Sequence, residues 1–336
     1  MVWGTLRTGF SGLLRSTRWG TAALLLATSG PAFGTVTIET RALSGDLAPG
    51  LSSGEVFNNF GSPALNDAGK IAFYGTLVIG NTVNAFNFDG IWSESAGSIG
   101  NAALIARGDD PAPGTESGVT YAAFGNPALN NAGETAFFAG VNGSTNGGFE
   151  GIWSESAGTP GNPGLVARRN QAAPGTEAGT VFATFGAPSI NDAGQVAFFA
   201  GLNNAVSNDR VTGLWATDLN GDLQLIVREG DVIDVDNDPN VEDLRTISTI
   251  NFFSNPADEE GRQSPLNNQG QLAFGLAFTD LTSGLFVADT IATLLGDYNG
   301  NGTVDAADYT VWADNFGSTT NLAADGNHDG VVDAAD

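Results

Sequence analysis

The chain has 336 residues and carries 37 Asp and Glu against 12 Lys and Arg, a net charge of −25, with no Cys and one His. An excess of that sign argues against binding a nucleic-acid backbone and suits cation binding. The absence of Cys excludes a disulfide or zinc-thiolate framework. With Lys70 the only Lys and His328 the only His, a Lys Schiff base, a P-loop, a His-based triad and a His-zinc site are all excluded from the repeats described below.

At the N-terminus, Arg7, Arg15 and Arg18 flank a short apolar run from Gly20 to Ala27, and Ala32-Phe33-Gly34 offers small residues where a signal peptidase reads. Residues 1–34 are therefore expected to be a signal peptide, and the protein to be secreted, extracellular or at the cell surface. The run falls short of the roughly 18 apolar residues a membrane span needs, so no span is expected.

From residue 35 to 290 the chain repeats. The organising stretch is Asn66-Asp67-Ala68-Gly69-Lys70-Ile71-Ala72-Phe73, with copies beginning at Asn130, Asn191 and Asn267. Asn suits the first position of a turn and Gly the residue with positive φ that closes it. The strand that follows is apolar on both faces, so both are expected to be covered. Phe60-Gly61, Phe124-Gly125 and Phe185-Gly186 mark the first strand of a repeat, and Gly90-Ile91-Trp92, Gly151-Ile152-Trp153, Gly213-Leu214-Trp215 and Gly284-Leu285-Phe286 mark the third. A fourth ends in Arg107, Arg168 or Arg228, and Ala-Pro-Gly turns follow at Ala112 and Ala173.

Four short antiparallel strands per repeat describe a propeller blade. The last repeat lacks its fourth strand, and an orphan of that type stands at Thr37-Ile38-Glu39-Thr40-Arg41, before a further Ala-Pro-Gly turn at Ala48. The expected fold is all-β, a four-bladed β-propeller closed by the N-terminal strand, with an open stack or β-sandwich of the same strands as the alternative. This region resembles secreted and surface-anchored bacterial proteins with tandem Asn-x-x-Gly-x-x-Ala-Phe repeats, a resemblance that implies no defined activity.

After a linker at 291–296, residues 297–336 change character. Asp297, Asn299, Asn301, Thr303, Asp305 and Asp308 fall at positions 1, 3, 5, 7, 9 and 12 of an EF-hand loop, Thr303 through its carbonyl, with Gly302 at the sharp turn. A second copy offers Asp325, Asn327, Asp329, Val331, Asp333 and Asp336. Hard oxygen ligands in this alternation wrap calcium. Tyr309, Trp312 and Phe316 follow at helical spacing and are expected to share a face, and Val304 and Val332, at position 8 of each loop, to pair as a bridge.

The two loops resemble a type I dockerin module, a small helix-and-loop fold. That resemblance implies calcium as cofactor, a cohesin-bearing partner and a link to polysaccharide catabolism. The module departs from the pattern in having Ala306-Ala307 and Ala334-Ala335 where Ser or Thr is frequent, and in ending at Asp336 without the second helix.

Within the repeats, Glu94 and Glu155 in Trp-Ser-Glu-Ser are expected at strand ends on the surface. Arg41, Arg107, Arg168 and Arg228 could form an anion site, but pairing with turn acids such as Asp46, Asp109 or Glu229 is the simpler expectation. Asp234, Asp236 and Asp238 read as a solvated acidic loop. No catalytic residue is assigned. The reading is a non-catalytic protein with a possible glycan ligand. The alternatives are a carboxylate-dependent glycoside hydrolase acting on O-glycosyl bonds, or a subunit of such a complex, and a surface structural or adhesion protein.

Overall fold

The computed structural model describes residues 38–336 apart from 52–53, 79–88, 144–147, 205–210, 237–240, 253–264, 291–295, 297, 300–303, 322–323, 325, 327–329 and 335–336. It divides into two units, one ending at Ala42 and one from Leu43 to Asp336. The second contains four antiparallel sheets in chain order.

The first sheet holds β1 (Val56–Phe60), β2 (Ala64–Leu65), β3 (Ile71–Val78), β4 (Asp89–Ser98) and β5 (Asn101–Arg107). Its order is β1-β3-β4-β5, and β2 also pairs with β3. The second repeats this with β6 (Thr120–Phe124), β7 (Ala128–Leu129), β8 (Thr135–Asn142), β9 (Phe149–Thr159) and β10 (Asn162–Arg168). The third has β11 (Thr180–Phe185), β12 (Ser189–Ile190), β13 (Val196–Asn204), β14 (Thr212–Thr217) and β15 (Leu223–Arg228). The expected first strand is thus two strands in each repeat. Pro63, Pro127 and Pro188 interrupt it, because proline has no N–H to give the ladder.

The fourth sheet runs β16 (Val232–Asp234), β17 (Leu244–Asn251), β18 (Gln271–Phe278) and β19 (Ser283–Asp289), in that order. The acidic stretch that replaces the Ala-Pro-Gly turn supplies β16, which extends what is a single isolated bridge in the other repeats. The sequence change at β19 matches. Trp92, Trp153 and Trp215 each donate their indole N–H to the carbonyl of Pro49, Pro113 or Pro174, at 3.0, 3.0 and 3.2 Å. Where that turn is missing, the position is Phe286, which has no donor to satisfy. In all four sheets this aromatic faces the motif Phe across the strand pair: Phe73 with Trp92, Phe137 with Trp153, Phe198 with Trp215 and Phe274 with Phe286.

Sheets pack face to face in sequence order. The middle core joins Ala136 and Ile152 of the second sheet to Phe182, Phe198 and Trp215 of the third, and equivalent clusters fill the junctions on either side. Both faces of each central strand are therefore covered in the interior of the row.

The turn motif also links the sheets. Asn66 closes its own turn, its side chain accepting the Lys70 N–H at 3.0 Å, and Gly69 has φ of 70°. Its amide then donates to the Asn130 carbonyl at 3.2 Å, Asn130 to that of Asn191 at 2.8 Å, and Asn191 to that of Asn267 at 2.9 Å. A parallel row runs one residue on. The N–H of Asp67, Asn131 and Asp192 donates to the side chain of Asn131, Asp192 and Asn268, at 2.7, 2.7 and 2.9 Å.

The expected ring closure is corrected by this arrangement. Ile38–Arg41 form no strand, while Thr37 lies outside the described residues. β19 pairs only with β18, and no strand pair or ladder bond joins the fourth sheet to the first among the described residues. The Asn ladder ends at Asn267, whose amide turns back to Gln271 of its own repeat at 3.0 Å. Among the described residues the four sheets form an open row.

Candidate functional site

In the tail, the described residues centre on α1 (Ala306–Asn315). Asp305 is its N-cap, accepting the Ala307 N–H at 2.7 Å, and Asp308 completes a capping box by accepting the Asp305 N–H at 2.7 Å. Asp308 also accepts the Asn299 N–H at 3.0 Å, and it is only 1% exposed. Positions 3, 9 and 12 of the first loop are thus held together, with the helix starting where an EF-hand's exit helix would start.

Asp297, Asn301, Thr303, Asp325, Asn327, Asp329 and Asp336 lie outside the described residues, as does His328. Among the described residues no three acidic or His side chains gather as a metal-binding group. Asp333 meets the helix through its carbonyl, which accepts the Trp312 indole N–H at 2.9 Å. Val331 is partly exposed beside the fully buried Val332.

Tyr309, Trp312 and Phe316 do share a face, with ring centroids 5.7 and 5.0 Å apart in succession. Val304 and Val332 do not pair. Val332 instead accepts the Gly317 N–H at 2.7 Å and donates to the Ser318 carbonyl at 3.0 Å, while Val304 is exposed. The segment just after the helix takes up the backbone groups that the bridge was expected to use.

Glu94 and Glu155 are buried, which corrects their expected surface position. The Glu94 carboxylate accepts the N–H of Ile71 at 3.0 Å and of Gly100 at 2.6 Å. Glu155 accepts the N–H and hydroxyl of Thr135, at 2.8 and 2.7 Å, and the Gly161 N–H. In the third sheet Thr217 stands at the same place after Trp and accepts the Val196 N–H at 2.8 Å. In all three sheets the side chain at this position accepts the N–H of the residue that opens the motif strand, Ile71, Thr135 or Val196, which gives the position a structural part.

Arg107, Arg168 and Arg228 pair with acids of their own repeats, but chiefly with ones beyond the Ala-Pro-Gly turn rather than with turn acids such as Asp109 or Glu229. Arg107 meets Glu55 at 2.6 Å, Arg168 meets Glu116 at 2.8 Å, and Arg228 meets Glu177 and also Asp231 at 3.0 Å. The hydrogen bonds from Arg168 and Arg228 hold the Glu116 and Glu177 carboxyls below the usual range and raise the guanidinium values in turn. Arg41 pairs with Glu39 at 3.1 Å, and Glu229 accepts the Thr212 N–H at 2.8 Å. Asp234 ends β16 rather than lying in a loop as expected, and its carboxylate accepts the N–H of Asp236 and Asp243, while Asp238 lies outside the described residues.

Between the first two sheets, Tyr74 donates to Asp89 at 3.3 Å. Burial and that carboxylate push the phenol up to about 12, and burial raises Asp89 as well. Tyr121 is buried and pushed upward by desolvation and then by Asp110. Sequence reasoning did not single out these residues. The only signal was Tyr at two positions that are Phe in the third repeat.

No helix among the described residues is long and apolar enough to cross a membrane. No curated protein matches the chain. Among solved structures it is similar to the crystal structure of the polysaccharide lyase Uly1, with 11% identity and a TM-score of 0.29, over 70% of this chain and 59% of that one. The chain spans less than two thirds of that structure, and likeness at this score carries no argument. The tail from Asp297 onward lies beyond a family match that covers residues 9–294 and places the chain in the DUF7453 family, a family of unknown function.

Proposed function

We propose that this is a secreted, non-catalytic β-repeat protein whose tail binds calcium as a dockerin-like module and joins the repeats to a cohesin-bearing partner. The observation that carries the reading is the burial of Asp308 against the Asn299 and Asp305 N–H groups. It puts the closing position of the first loop beside its third, as a loop wrapped round a cation requires.

The donor set fits calcium, being hard oxygen throughout, and calcium takes 6–8 such ligands. Asp297, Asn299, Asn301, the Thr303 carbonyl, Asp305 and Asp308 would hold the first ion, and Asp325, Asn327, Asp329, the Val331 carbonyl, Asp333 and Asp336 the second. When bound, the ion supplies the positive centre that offsets repulsion among these carboxylates. α1 holds Asp308 at the first loop, and its Trp312 bond to Asp333 ties the second loop to the same helix. A tie to polysaccharide breakdown comes only with the dockerin resemblance.

The test is amide hydrogen exchange on the secreted chain with calcium and with chelator. Calcium should protect Ala306–Asn315 and leave the sheets unchanged, and a cohesin should be retained only when calcium is present. Equal exchange of α1 in both conditions would remove the reading.

A further inference from the structure

Each junction in the row of sheets has the same plug and socket. The apolar residue before the turn Asn seats on small residues of the sheet before it. Leu129 packs with Ala64 and Ala72, Ile190 with Ala128 and Ala136, and Leu266 with Ala197. All three plugs are fully buried.

The two ends of the row carry the unmatched halves. On the first sheet, Leu65 is 54% exposed. Pro63 is exposed too, whereas Pro127 and Pro188 are buried. On the fourth sheet, Pro265 and Ala273 stand where Ala64 and Ala72 stand in the first. They line a hollow of about 820 Å³ with Phe274, Leu285 and Val287. Leu285 is 91% exposed and Val287 67%, although their counterparts Ile91, Ile152 and Leu214, and Ser93, Ser154 and Ala216, are fully buried. Asn267 is likewise exposed where Asn66, Asn130 and Asn191 are buried.

We propose that the hollow on the fourth sheet is the docking site for the first sheet of a second copy of this chain, seated by Leu65, so that the row continues head to tail. The interface continues one already built three times within the chain, and the ladder agrees in register. Its outer rungs alternate Asp67, Asn131, Asp192, Asn268, so that Asn131 donates to both neighbouring carboxylates and Asn268 to Asp192. The rung due after Asn268 is an Asp, and a second copy brings Asp67. Such contacts are heterologous, so they propagate or close a ring of copies rather than stopping at a twofold dimer. Repeat rows need polar end surfaces to stay monomeric, and each end here exposes apolar side chains, Leu65 on one and Leu285 and Val287 on the other.

The experiment is analytical ultracentrifugation of the secreted chain up to about 100 μM, within the range where a micromolar contact is populated. It is run on the wild type, on Leu65→Glu, on Ala273→Arg and on an equal mixture of the two variants. Both positions are exposed, so circular dichroism should show each variant folded. The wild type should associate beyond the dimer as concentration rises. Each variant alone should be monomeric. The mixture should form a dimer that grows no further, since only the Leu65→Glu socket and the Ala273→Arg plug remain. A monomeric wild type at all concentrations would overturn the proposal, as would association of Leu65→Glu equal to wild type, which would point to a twofold contact through the fourth sheet alone.

Discussion

Truncating Asn130 tests whether the turn motif is an inter-sheet device or only a turn former. Its side chain accepts the Glu134 N–H at 2.7 Å and donates to the Glu134 carboxylate at 2.9 Å and to the Asn191 carbonyl at 2.8 Å. Asn130→Ala strands the Glu134 N–H beside a fully buried position, which costs about 1–3 kcal/mol. It also removes the bridge to the third sheet, a further 0.5–1.5 kcal/mol or so. The Asn191 carbonyl keeps the Gly194 N–H at 2.9 Å, so it is not left empty, and the total expected is about 2–4 kcal/mol.

Asn267→Ala deletes the same side chain at the end of the ladder. There Asn267 is exposed and its amide donates within its own repeat, so water replaces what is lost, and the cost should stay near 1 kcal/mol or below. Urea unfolding followed by tryptophan fluorescence measures both, provided the slope is unchanged between variants. Equal losses at Asn130 and Asn267 would refute the ladder and leave the motif as a local turn.

Other substitutions test the remaining contacts. Glu155→Ala should cost about 2–4 kcal/mol by stranding the Thr135 N–H, whereas Glu155→Thr, copying the third sheet, should recover part of that in a thermal melt. Trp153→Phe loses the bond to the Pro113 carbonyl and should cost about 1–2 kcal/mol, measured by the same unfolding curves. For pH, Glu116 and Glu177 have folded values lowered from 4.5. Their contribution is therefore present above the unfolded value near 4.5 and is lost as pH falls through the lower folded value. Arg168→Met and Arg228→Met should each flatten that acid limb and leave stability at neutral pH changed little, as suits exposed pairs.

The sequence was most readable where one residue does one job. Gly69 and its counterparts follow from local turn rules, and the recurring Phe, Trp and Arg marks place the strands of the four sheets; the breaks at Pro63, Pro127 and Pro188 obey an equally local rule that the one-strand expectation overlooked. What it hid was partnership. Glu94 looks like a strand-end acid because Trp-Ser-Glu-Ser alternates as a half-exposed strand would. Its burial follows from the N–H of Ile71, which needs an acceptor from the neighbouring strand. The Arg partners were hidden by proximity in the chain. Glu55, Glu116 and Glu177 precede their Arg by 52, 52 and 51 residues, a constant spacing that could have identified them against nearer acids. Ring closure could not be read from repeat number, because a closed and an open row need the same strand patterns and differ at the end faces, as at Leu65 and Leu285. In the tail, Asp305 and Asp308, read from the sequence only as loop ligands, also cap α1, and Val332 found a backbone partner in Gly317 and Ser318 that loop alignment does not reveal.

The functional claim rests on calcium, and calorimetric titration of the chain tests it most directly, with Asp297→Ala and Asp325→Ala alongside. Loop one is expected to bind first, near the extracellular-module range of about 10⁻⁴ to 10⁻³ M, because Asp308, its closing ligand, is held at the start of α1. Asp297→Ala should then remove the tighter site. Heat of binding lost in Asp325→Ala instead would reverse the ranking, and no binding heat in the wild type would contradict the account.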